Sequence, residues 1–254
     1  MKLLAIDTAA AALSAAIVDE KGLVGEFALN TGKNHSLGLL PLLDSLLRYS
    51  GLTLGEMTAF AVTQGPGSFT GLRIGIATAK AWHDATGKPL IGIRTTDALA
   101  RAAGVRGYIC PLLDARRDQV YTALYRDGQR LWPDLALSPE ELGVRLAQLD
   151  GPVCCLGDGF APYETTLRQS LGDRLQPAPL ERRLVLAPAT AMLAWERLLE
   201  QDFTPPETLL PIYLRQSEAE EKRLAAEQAA QTPPPAQTPP PAQTPTPPVG
   251  GDRS

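Results

Sequence analysis

A run of small residues in the first third of the chain has the composition of a phosphate-binding turn. Residues 65–75 read Gly-Pro-Gly-Ser-Phe-Thr-Gly-Leu-Arg-Ile-Gly, after an apolar run at 59–62 and before helix formers at 76–85. A strand that ends in a glycine turn and enters a helix directs backbone N–H groups and the positive end of the helix dipole toward one point. The candidate phosphate contacts are Gly65, Gly67, Ser68 and Thr70. The alternative is a tight turn in which Ser68 or Thr70 is the helix N-cap.

Acidic and small residues follow other apolar runs that we predict to be strands. Asp7 and Thr8 follow the first run, Asp114 ends another, and Gly157 opens a Gly-Asp-Gly turn after a third. Ligands of open α/β sheets bind at the carboxyl ends of strands, so these residues are candidates for a nucleotide cleft in which Asp7 orients hydrated Mg²⁺. The alternative is a cleft without function, in which Asp7 caps a turn and the glycines serve backbone geometry.

The elements that must position these residues occur in a repeated order. The predicted strands are 2–6, 13–18, 23–29, 59–63, 89–93, 108–114 and 119–126, and the predicted helices are 36–49, 71–86 and one that begins near 95. The meander that starts at Leu3 is echoed by one that starts at Tyr108, and each begins with an apolar strand that ends in Asp. Such self-similarity indicates two lobes of related topology. Two unrelated meanders are the alternative.

Two helices of the first lobe carry more apolar and small residues than one buried face requires. Leucines surround the helix at 36–49, which suggests burial against the sheet and against a partner. The helix at 71–86 has small residues at four-residue spacing, which lets another helix approach closely. The candidate partner-facing residues are Leu39, Leu40, Leu43, Leu46, Leu47, Gly71, Arg73, Gly75 and Ala79. Packing within the chain alone explains the same pattern equally well.

Residue types needed for metal or serine chemistry are scarce. The two histidines, His35 and His83, are far apart and do not form the i, i+4 pair that a helix needs to bind zinc, so we expect no metal site. Ser68 lacks the Gly-x-Ser-x-Gly context of a hydrolase nucleophile, since Pro66 and Thr70 occupy the glycine positions. Peptidase activity is therefore the least favoured reading.

Composition limits the class of protein. The formal charge of −4 and the pI near 5.3 argue against a primary nucleic-acid binder. Three cysteines, two of them adjacent, fit a reducing compartment, and Asp7 interrupts the apolar N-terminus before it could serve as a secretory signal. We therefore expect a cytoplasmic protein without a membrane span. The end of the chain repeats Ala-Gln-Thr-Pro-Pro-Pro, which predicts a disordered Pro-rich tail after a charged segment.

The amino-acid sequences of these motifs resemble those of the bacterial TsaB (YeaZ) family. The resemblance covers residues 1 to about 215 and is carried by Leu3-Leu-Ala-Ile-Asp-Thr8, the run at 65–75, Asp114-Ala-Arg-Arg, Gly157-Asp-Gly159 and Pro211-Ile-Tyr-Leu-Arg215. It implies a two-lobed actin-like fold of the ASKHA class, which includes sugar kinases and HSP70. The domains would be a first lobe at 1–103 with the partner-docking helices, a smaller second lobe at 104–216, and the tail segment at 217–254.

The resemblance also implies a function. Family members assist the N6-threonylcarbamoylation of adenosine 37 in tRNAs reading codons that begin with A, as non-catalytic partners of the subunit TsaD. TsaD carries a metal-binding histidine pair at positions that align here with Thr95 and Leu99, neither of which can replace imidazole. The implied partners are TsaD through the first lobe, TsaE, and functionally TsaC, with a homodimer as a further assembly and tRNA reached only through the complex. No firm cofactor is implied beyond weak or vestigial ATP or ADP with Mg²⁺. An independent ATP-binding enzyme and a glycoprotease-like peptidase are the alternatives.

Overall fold

The computed structural model describes residues 1–32, 34–179, 182 and 187–215 of the 254-residue chain. Residues Met1–Arg215 form one compact unit. The predicted charged segment and Pro-rich tail at 217–254 lie outside the described residues. None of the described helices is both long and apolar enough to span a membrane.

The first sheet has five strands in the order β3-β2-β1-β4-β5. These strands are β1 (Lys2–Asp7), β2 (Leu13–Asp19), β3 (Gly22–Leu29), β4 (Ala59–Gly65) and β5 (Leu90–Arg94). The central strand β1 pairs antiparallel with β2 and parallel with β4. Its side chains alternate, so Leu4 and Ile6 point to one face of the sheet while Leu3 and Ala5 point to the other. Both faces are covered by helices.

The second sheet repeats this topology in the order β10-β9-β6-β7-β8. Its strands are β6 (Tyr108–Asp114), β7 (Val120–Arg126), β8 (Gln129–Leu137), β9 (Val153–Leu156) and β10 (Leu175–Pro177). Its central strand β6 also pairs antiparallel with the next strand of the chain, β7, and parallel with β9. Two sheets of matching topology confirm the predicted α/β actin-like fold.

Within the described ranges, six α-helices fill three layers. They are α1 (His35–Ser50), α2 (Phe69–Thr86), α3 (Thr95–Ala103), α4 (Pro139–Ala147), α5 (Glu164–Leu171) and α6 (Ala187–Leu199). The first two pack on the outer face of the first sheet, and α4 and α5 pack on the outer face of the second. A core cluster shared by both sheets surrounds α3 and α6. The helices therefore form the two outer layers and the layer between the sheets.

Local signals in the sequence explain where the functionally interesting helices begin and end. Asn34 caps α1 by accepting a hydrogen bond from the Ser36 N–H, and Gly51 ends the helix with a φ of 67°. Ser68 caps α2 by accepting from the Gly71 N–H at 3.2 Å. Since the predicted helix started at 71, the structure extends it by two residues, to Phe69. The glycine loop, residues 65–71, thus overlaps the first turn of α2.

The last described segment, 187–215, returns to the first sheet. Arg197 donates to the Gly92 carbonyl oxygen at 2.7 Å, and the Ile212 N–H donates to the Gln64 carbonyl oxygen at 2.6 Å. Leu209 is fully buried in the core between the first sheet and its outer helices. Sequence order placed this segment in the second lobe, but its apolar side chains complete the first. The lobe boundaries themselves stay a prediction.

A charged network joins α3 and the end of β5 to the second sheet. The Asp134 side chain, 2% exposed, accepts from Arg94 at 2.5 Å and from Arg130 at 2.8 Å. It also accepts from the Thr96 hydroxyl at 2.6 Å, and Arg130 pairs with Asp97 at 2.7 Å. A buried carboxylate with this many donors is fully compensated. The network fixes one edge of the second sheet against α3.

Candidate functional site

The predicted cleft residues meet around the β1–β2 turn, residues 8–12. Asp7 ends β1 and is completely buried. Its Oδ1 accepts from the Ala9 N–H at 2.9 Å and from the Thr63 hydroxyl at 3.0 Å. Oδ2 has no hydrogen-bond partner among the described residues. Asp7 therefore holds the start of the turn against β4, as expected of a residue that caps a turn.

The glycine loop packs against this turn by close backbone contact. The Ser68 N–H donates to the Ala9 carbonyl oxygen at 2.7 Å, and the Thr8 hydroxyl donates to the Gly71 carbonyl oxygen at 2.7 Å. A Cβ at Gly67 would overlap the Ala9 carbonyl oxygen, and one at Gly71 would overlap that of Thr8. These glycines are needed because another backbone passes where a side chain would stand.

Gly65 and Thr70 complete the loop. Gly65 has a φ of +114°, which favours glycine, and a Cβ there would lie 2.6 Å from the Ile212 carbonyl oxygen. Gly65 therefore accommodates the returning C-terminal segment. Thr70 is exposed in the first turn of α2. The loop's geometry is accounted for by contacts within the chain.

A second glycine-flanked turn reaches the β1–β2 turn from the other lobe. Gly157, with a φ of +109°, packs against the Leu112 carbonyl oxygen, and a Cβ at Gly159 would lie 2.7 Å from the Leu113 carbonyl carbon. Between them, Asp158 accepts from the Ala11 N–H at 2.8 Å. The two glycines thus press this turn onto β6 and leave Asp158 facing the first lobe.

Asp114 lies beside this contact at the end of β6. Its N–H donates to Asp158 Oδ1 at 3.1 Å. Its own carboxylate accepts from the Arg116 N–H at 2.8 Å and forms an ion pair with the Arg116 guanidinium at 3.0 Å. The structure therefore brings together Asp7, Thr8, the glycine loop, Asp114 and Gly157 at one place. The Gly157-Asp-Gly159 turn was predicted to lie in the cleft, but Asp158 was not named as a contact in its own right.

The pKa values of two carboxyl groups in this cleft, those of Asp7 and Asp158, are raised. The pKa of Asp7 is raised from its ordinary 3.8 to about 7, mainly by burial and to a smaller extent by the charge of Asp158. The hydrogen bonds from the Ala9 N–H and the Thr63 hydroxyl lower the pKa and partly oppose this shift. Burial also raises the pKa of Asp158, although the N–H groups of Ala11 and Asp114 oppose this. The negative charge already at this point disfavours a further anion.

The described residues do not fit a nucleotide phosphate group. The N–H groups of Ser68 and Ala11, which a phosphate would need, donate to Ala9 and Asp158 instead. Asp7 is sealed from solvent and cannot orient hydrated Mg²⁺ in this conformation. Within the described ranges, no group of three or more His, Cys, Asp or Glu side chains could hold a metal ion.

The geometry does not assemble a serine nucleophile either. Ser68 Oγ accepts the N-capping bond from Gly71. The His35 ring bonds the Ala10 carbonyl oxygen through Nε2 at 2.8 Å, and the His83 ring bonds the Lys88 carbonyl oxygen through Nδ1 at 2.8 Å. In the part of the chain that is described, no hydrogen bond joins Ser68 to either ring. A general base for Ser68 is not provided by these contacts.

The two positions at which the resemblance predicts the loss of a histidine pair are packed into the core. Thr95 and Leu99 lie on α3, and both are fully buried. Leu99 belongs to the cluster shared by the two sheets. Neither side chain provides the imidazole nitrogen that a histidine pair would offer a metal ion.

Many residues predicted to face a partner lie inside the chain's own core. Leu39, Leu43, Leu46 and Ala79 are at most 4% exposed, and Gly71 and Gly75 are buried against Thr8. They are not available to a partner in the folded chain, because α1 and α2 use them to pack on the first sheet. Leu47 is partly buried. Leu40, 64% exposed, and Arg73 remain on the surface.

Other residues of the two outer helices are exposed. Leu37 on α1 is 77% exposed and lies one turn from Leu40. On α2, Ala77 and Ala81 are exposed at four-residue spacing, on the face opposite the buried glycines. We call Leu37, Leu40, Arg73, Ala77 and Ala81 the helix-pair surface. Arg73 is held in place, since it lies 4.0 Å over the Phe69 ring and donates to the Tyr213 hydroxyl at 3.0 Å.

Comparison with known proteins gives relatives of matching length. The family described as "TsaD: tRNA N6-adenosine threonylcarbamoyltransferase" matches residues 13–139. The chain is 30% identical over 233 residues to "tRNA threonylcarbamoyladenosine biosynthesis protein TsaB" of Bacillus subtilis, covering 90% of this chain and 100% of the relative. The Escherichia coli protein of the same name is 32% identical over 232 residues, covering 87% and 98%.

Solved structures agree with the fold. YeaZ from Pseudomonas aeruginosa superposes with a TM-score of 0.71 at 28% identity, over 84% of this chain and 99% of that protein. Component A of the (R)-2-hydroxyglutaryl-CoA dehydratase of Acidaminococcus fermentans superposes with a TM-score of 0.50 at 12% identity, over 78% and 99%. The second likeness shows the shared fold alone.

The packing of the glycine loop is tested by Gly71→Ala. In an open helix turn, alanine is more favourable than glycine by up to about 1 kcal/mol. At position 71 the new Cβ would overlap the Thr8 carbonyl oxygen, so we expect a loss of about 2 kcal/mol in unfolding free energy, measured by urea denaturation. Gly55→Ala is the matched control, because its Cβ would meet only Thr53 Oγ1 at 3.9 Å. A Gly71→Ala protein as stable as the wild type would contradict the contact.

The buried Asp7 carboxyl predicts an unusual pH dependence. Its pKa is about 7 in the folded chain and near 3.8 when unfolded, so the folded state holds the proton more tightly. Its contribution to stability is therefore greatest below about pH 4, declines as pH rises, and levels off above about pH 7. Asp7→Asn removes this titration and keeps an oxygen for Ala9 and Thr63. As the pH rises from 5 to 8, we expect the unfolding free energy of the variant to increase by about 3 kcal/mol relative to that of the wild type. Urea denaturation at each pH gives both unfolding free energies. If they changed with pH in parallel, the raised pKa of Asp7 would be refuted.

Proposed function

The chain belongs to the TsaB (YeaZ) family, and we propose from this premise that it is a non-catalytic subunit in the biosynthesis of threonylcarbamoyladenosine in tRNA. Its partner is TsaD, which transfers the threonylcarbamoyl group from its adenylate to N6 of adenosine 37. This chain binds TsaD through the first lobe and keeps it in an active conformation. The match of family members over nearly the whole described chain supports this role.

The observation that carries the non-catalytic role is the burial of Thr95 and Leu99. In TsaD the aligned positions hold the metal-binding histidines, whereas here they form core packing on α3. The same conclusion is favoured by the cleft, where the N–H groups of Ser68 and Ala11 are already bonded within the chain. The threonylcarbamoyl transfer therefore takes place on TsaD, and this chain contributes a docking surface that keeps TsaD in its active conformation.

The helix-pair surface is the proposed contact with TsaD. It combines two leucines that are 77% and 64% exposed with a row of alanines on the neighbouring helix. Small residues at four-residue spacing allow a partner helix to approach, and the leucines supply apolar area for it to bury. A homodimer through the same surface would compete with TsaD, because one face cannot serve both at once.

The remaining partners follow from this assembly. TsaE binds the TsaB–TsaD pair, and TsaC supplies the adenylate that TsaD consumes. Contact with tRNA is made through the complex, in keeping with the net charge of −4 of this chain. The cytoplasm, where tRNA is modified, is the proposed location.

The docking surface is tested by Leu40→Asp. Placing a carboxylate in an apolar contact leaves a charge without a partner, so we expect at least a tenfold weaker complex with TsaD and a matching loss of threonylcarbamoyl transfer to unmodified tRNA. The measurement combines calorimetric titration with TsaD and transfer of labelled threonine by the reconstituted proteins. Because Leu40 is exposed, folding should be unaffected, unlike a change at the buried Leu43.

Val144→Asp is the matched control for this experiment. Val144 is 62% exposed on α4 of the second lobe and lies outside the proposed surface. The Val144→Asp protein should bind TsaD and support threonylcarbamoyl transfer as the wild type does. Full transfer by the Leu40→Asp protein, or equal losses in both variants, would refute the docking surface. Full transfer in the absence of this chain would refute the proposed function.

A further inference from the structure

The Asp158 carboxylate connects the two lobes at the centre of the cleft. One oxygen accepts from the N–H of Ala11, in the β1–β2 turn of the first lobe, at 2.8 Å. The other accepts from the N–H of Asp114, at the end of β6 in the second lobe, at 3.1 Å. We call this arrangement the Asp158 bridge. Since each oxygen is bonded to a different lobe, the bridge holds the two strand ends at a fixed separation.

The donors of this bridge are of the kind that bind phosphate. Backbone N–H groups at turns that follow strands form concave anion sites, and a phosphate between two lobes would accept from both sides. Asp158 supplies an anion of its own at this place. A phosphate oxygen and the carboxylate cannot accept the same two N–H bonds together.

The backbone on both sides keeps Asp158 where it is. Gly157 and Gly159 allow its turn to press onto β6, with the Leu112 carbonyl oxygen against Gly157 and the Leu113 carbonyl carbon 2.7 Å from a Cβ at Gly159. On the other side, the β1–β2 turn is held by the Ser68 N–H, which donates to Ala9. The backbone that carries Asp158 therefore cannot shift away unless one of these packed turns moves.

We propose that Asp158 is an internal substitute for a phosphate group, which closes the interlobe cleft to nucleoside polyphosphates and inorganic polyphosphates. The chain is thereby kept in one lobe arrangement without a nucleotide. This role is independent of docking to TsaD, because the bridge and the helix-pair surface share no residue. An entering phosphate would have to displace the Asp158 carboxylate before it could accept from the N–H groups of Ala11 and Asp114.

The experiment compares the full-length wild type with Asp158→Ala and Asp158→Asn. The first readout is the hydrogen-exchange rate of the Ala11 amide, measured by NMR. Removing a charged acceptor from this N–H should speed its exchange at least about tenfold in Asp158→Ala, with a smaller effect in the isosteric Asp158→Asn. The second readout is the affinity for pyrophosphate with equimolar Mg²⁺, measured by calorimetry, which we expect to be at least about tenfold tighter in Asp158→Ala than in the wild type.

Asp173→Ala is the control, since Asp173 is an exposed carboxylate of the same lobe, in the short turn after α5. It should match the wild type in both readouts. Pyrophosphate affinities that do not differ between the wild type and the Asp158 variants overturn the proposal. An unchanged Ala11 exchange rate in both Asp158 variants overturns it as well. Neither readout involves TsaD or tRNA, so a failure here is separate from a failure of the proposed function.

Discussion

The β1–β2 turn is held from two sides, and this constraint connects the main features of the structure. On one side, the backbone of the glycine loop lies so close to Thr8 and Ala9 that side chains at Gly67 and Gly71 would overlap carbonyl oxygens. On the other side, Asp158 reaches across from the second lobe to Ala11. Residues that resemble a phosphate site in the sequence thus hold the glycine loop and the Asp158 turn against the β1–β2 turn. The proposed docking site therefore lies elsewhere, on the outside of the first lobe.

This constraint also determines how the outer helices are oriented. Because Gly71 and Gly75 face Thr8, the small-residue face of α2 points inward and the Ala77–Ala81 face points outward. Together with Leu37 and Leu40 on α1, that outer face forms the helix-pair surface. The charged network around Asp134 and the returning segment 187–215 hold the two sheets and α3 together behind it. A compact unit with exposed apolar residues on these two helices is consistent with the proposed role as a supporting subunit.

Much of the fold could be predicted from the sequence, because alternating apolar strands and capped helices leave local signals. The repeated order of elements correctly indicated two related lobes. The side of each helix that packs inward was harder to predict. Leucines around α1 and small residues along α2 show that both helices are apolar, but periodicity does not tell which face meets the chain's own sheet.

The contacts that distinguish this cleft from a ligand site connect distant parts of the chain. Thr8 meets Gly71 across 63 positions and Ala11 meets Asp158 across 147. Such pairings depend on how the lobes pack, so the local motif places Asp158 in a turn but does not predict its bond to Ala11.

The most direct test of the account is a hydrogen-exchange map of this chain alone and in complex with TsaD. The account predicts slower exchange along the outer faces of α1 and α2, around Leu40 and Ala77, with the β1–β2 turn and the second lobe unchanged. Slower exchange confined to the cleft around Asp7 and Asp158, or to the second lobe, would contradict the claim that the chain acts through the surface of its first lobe.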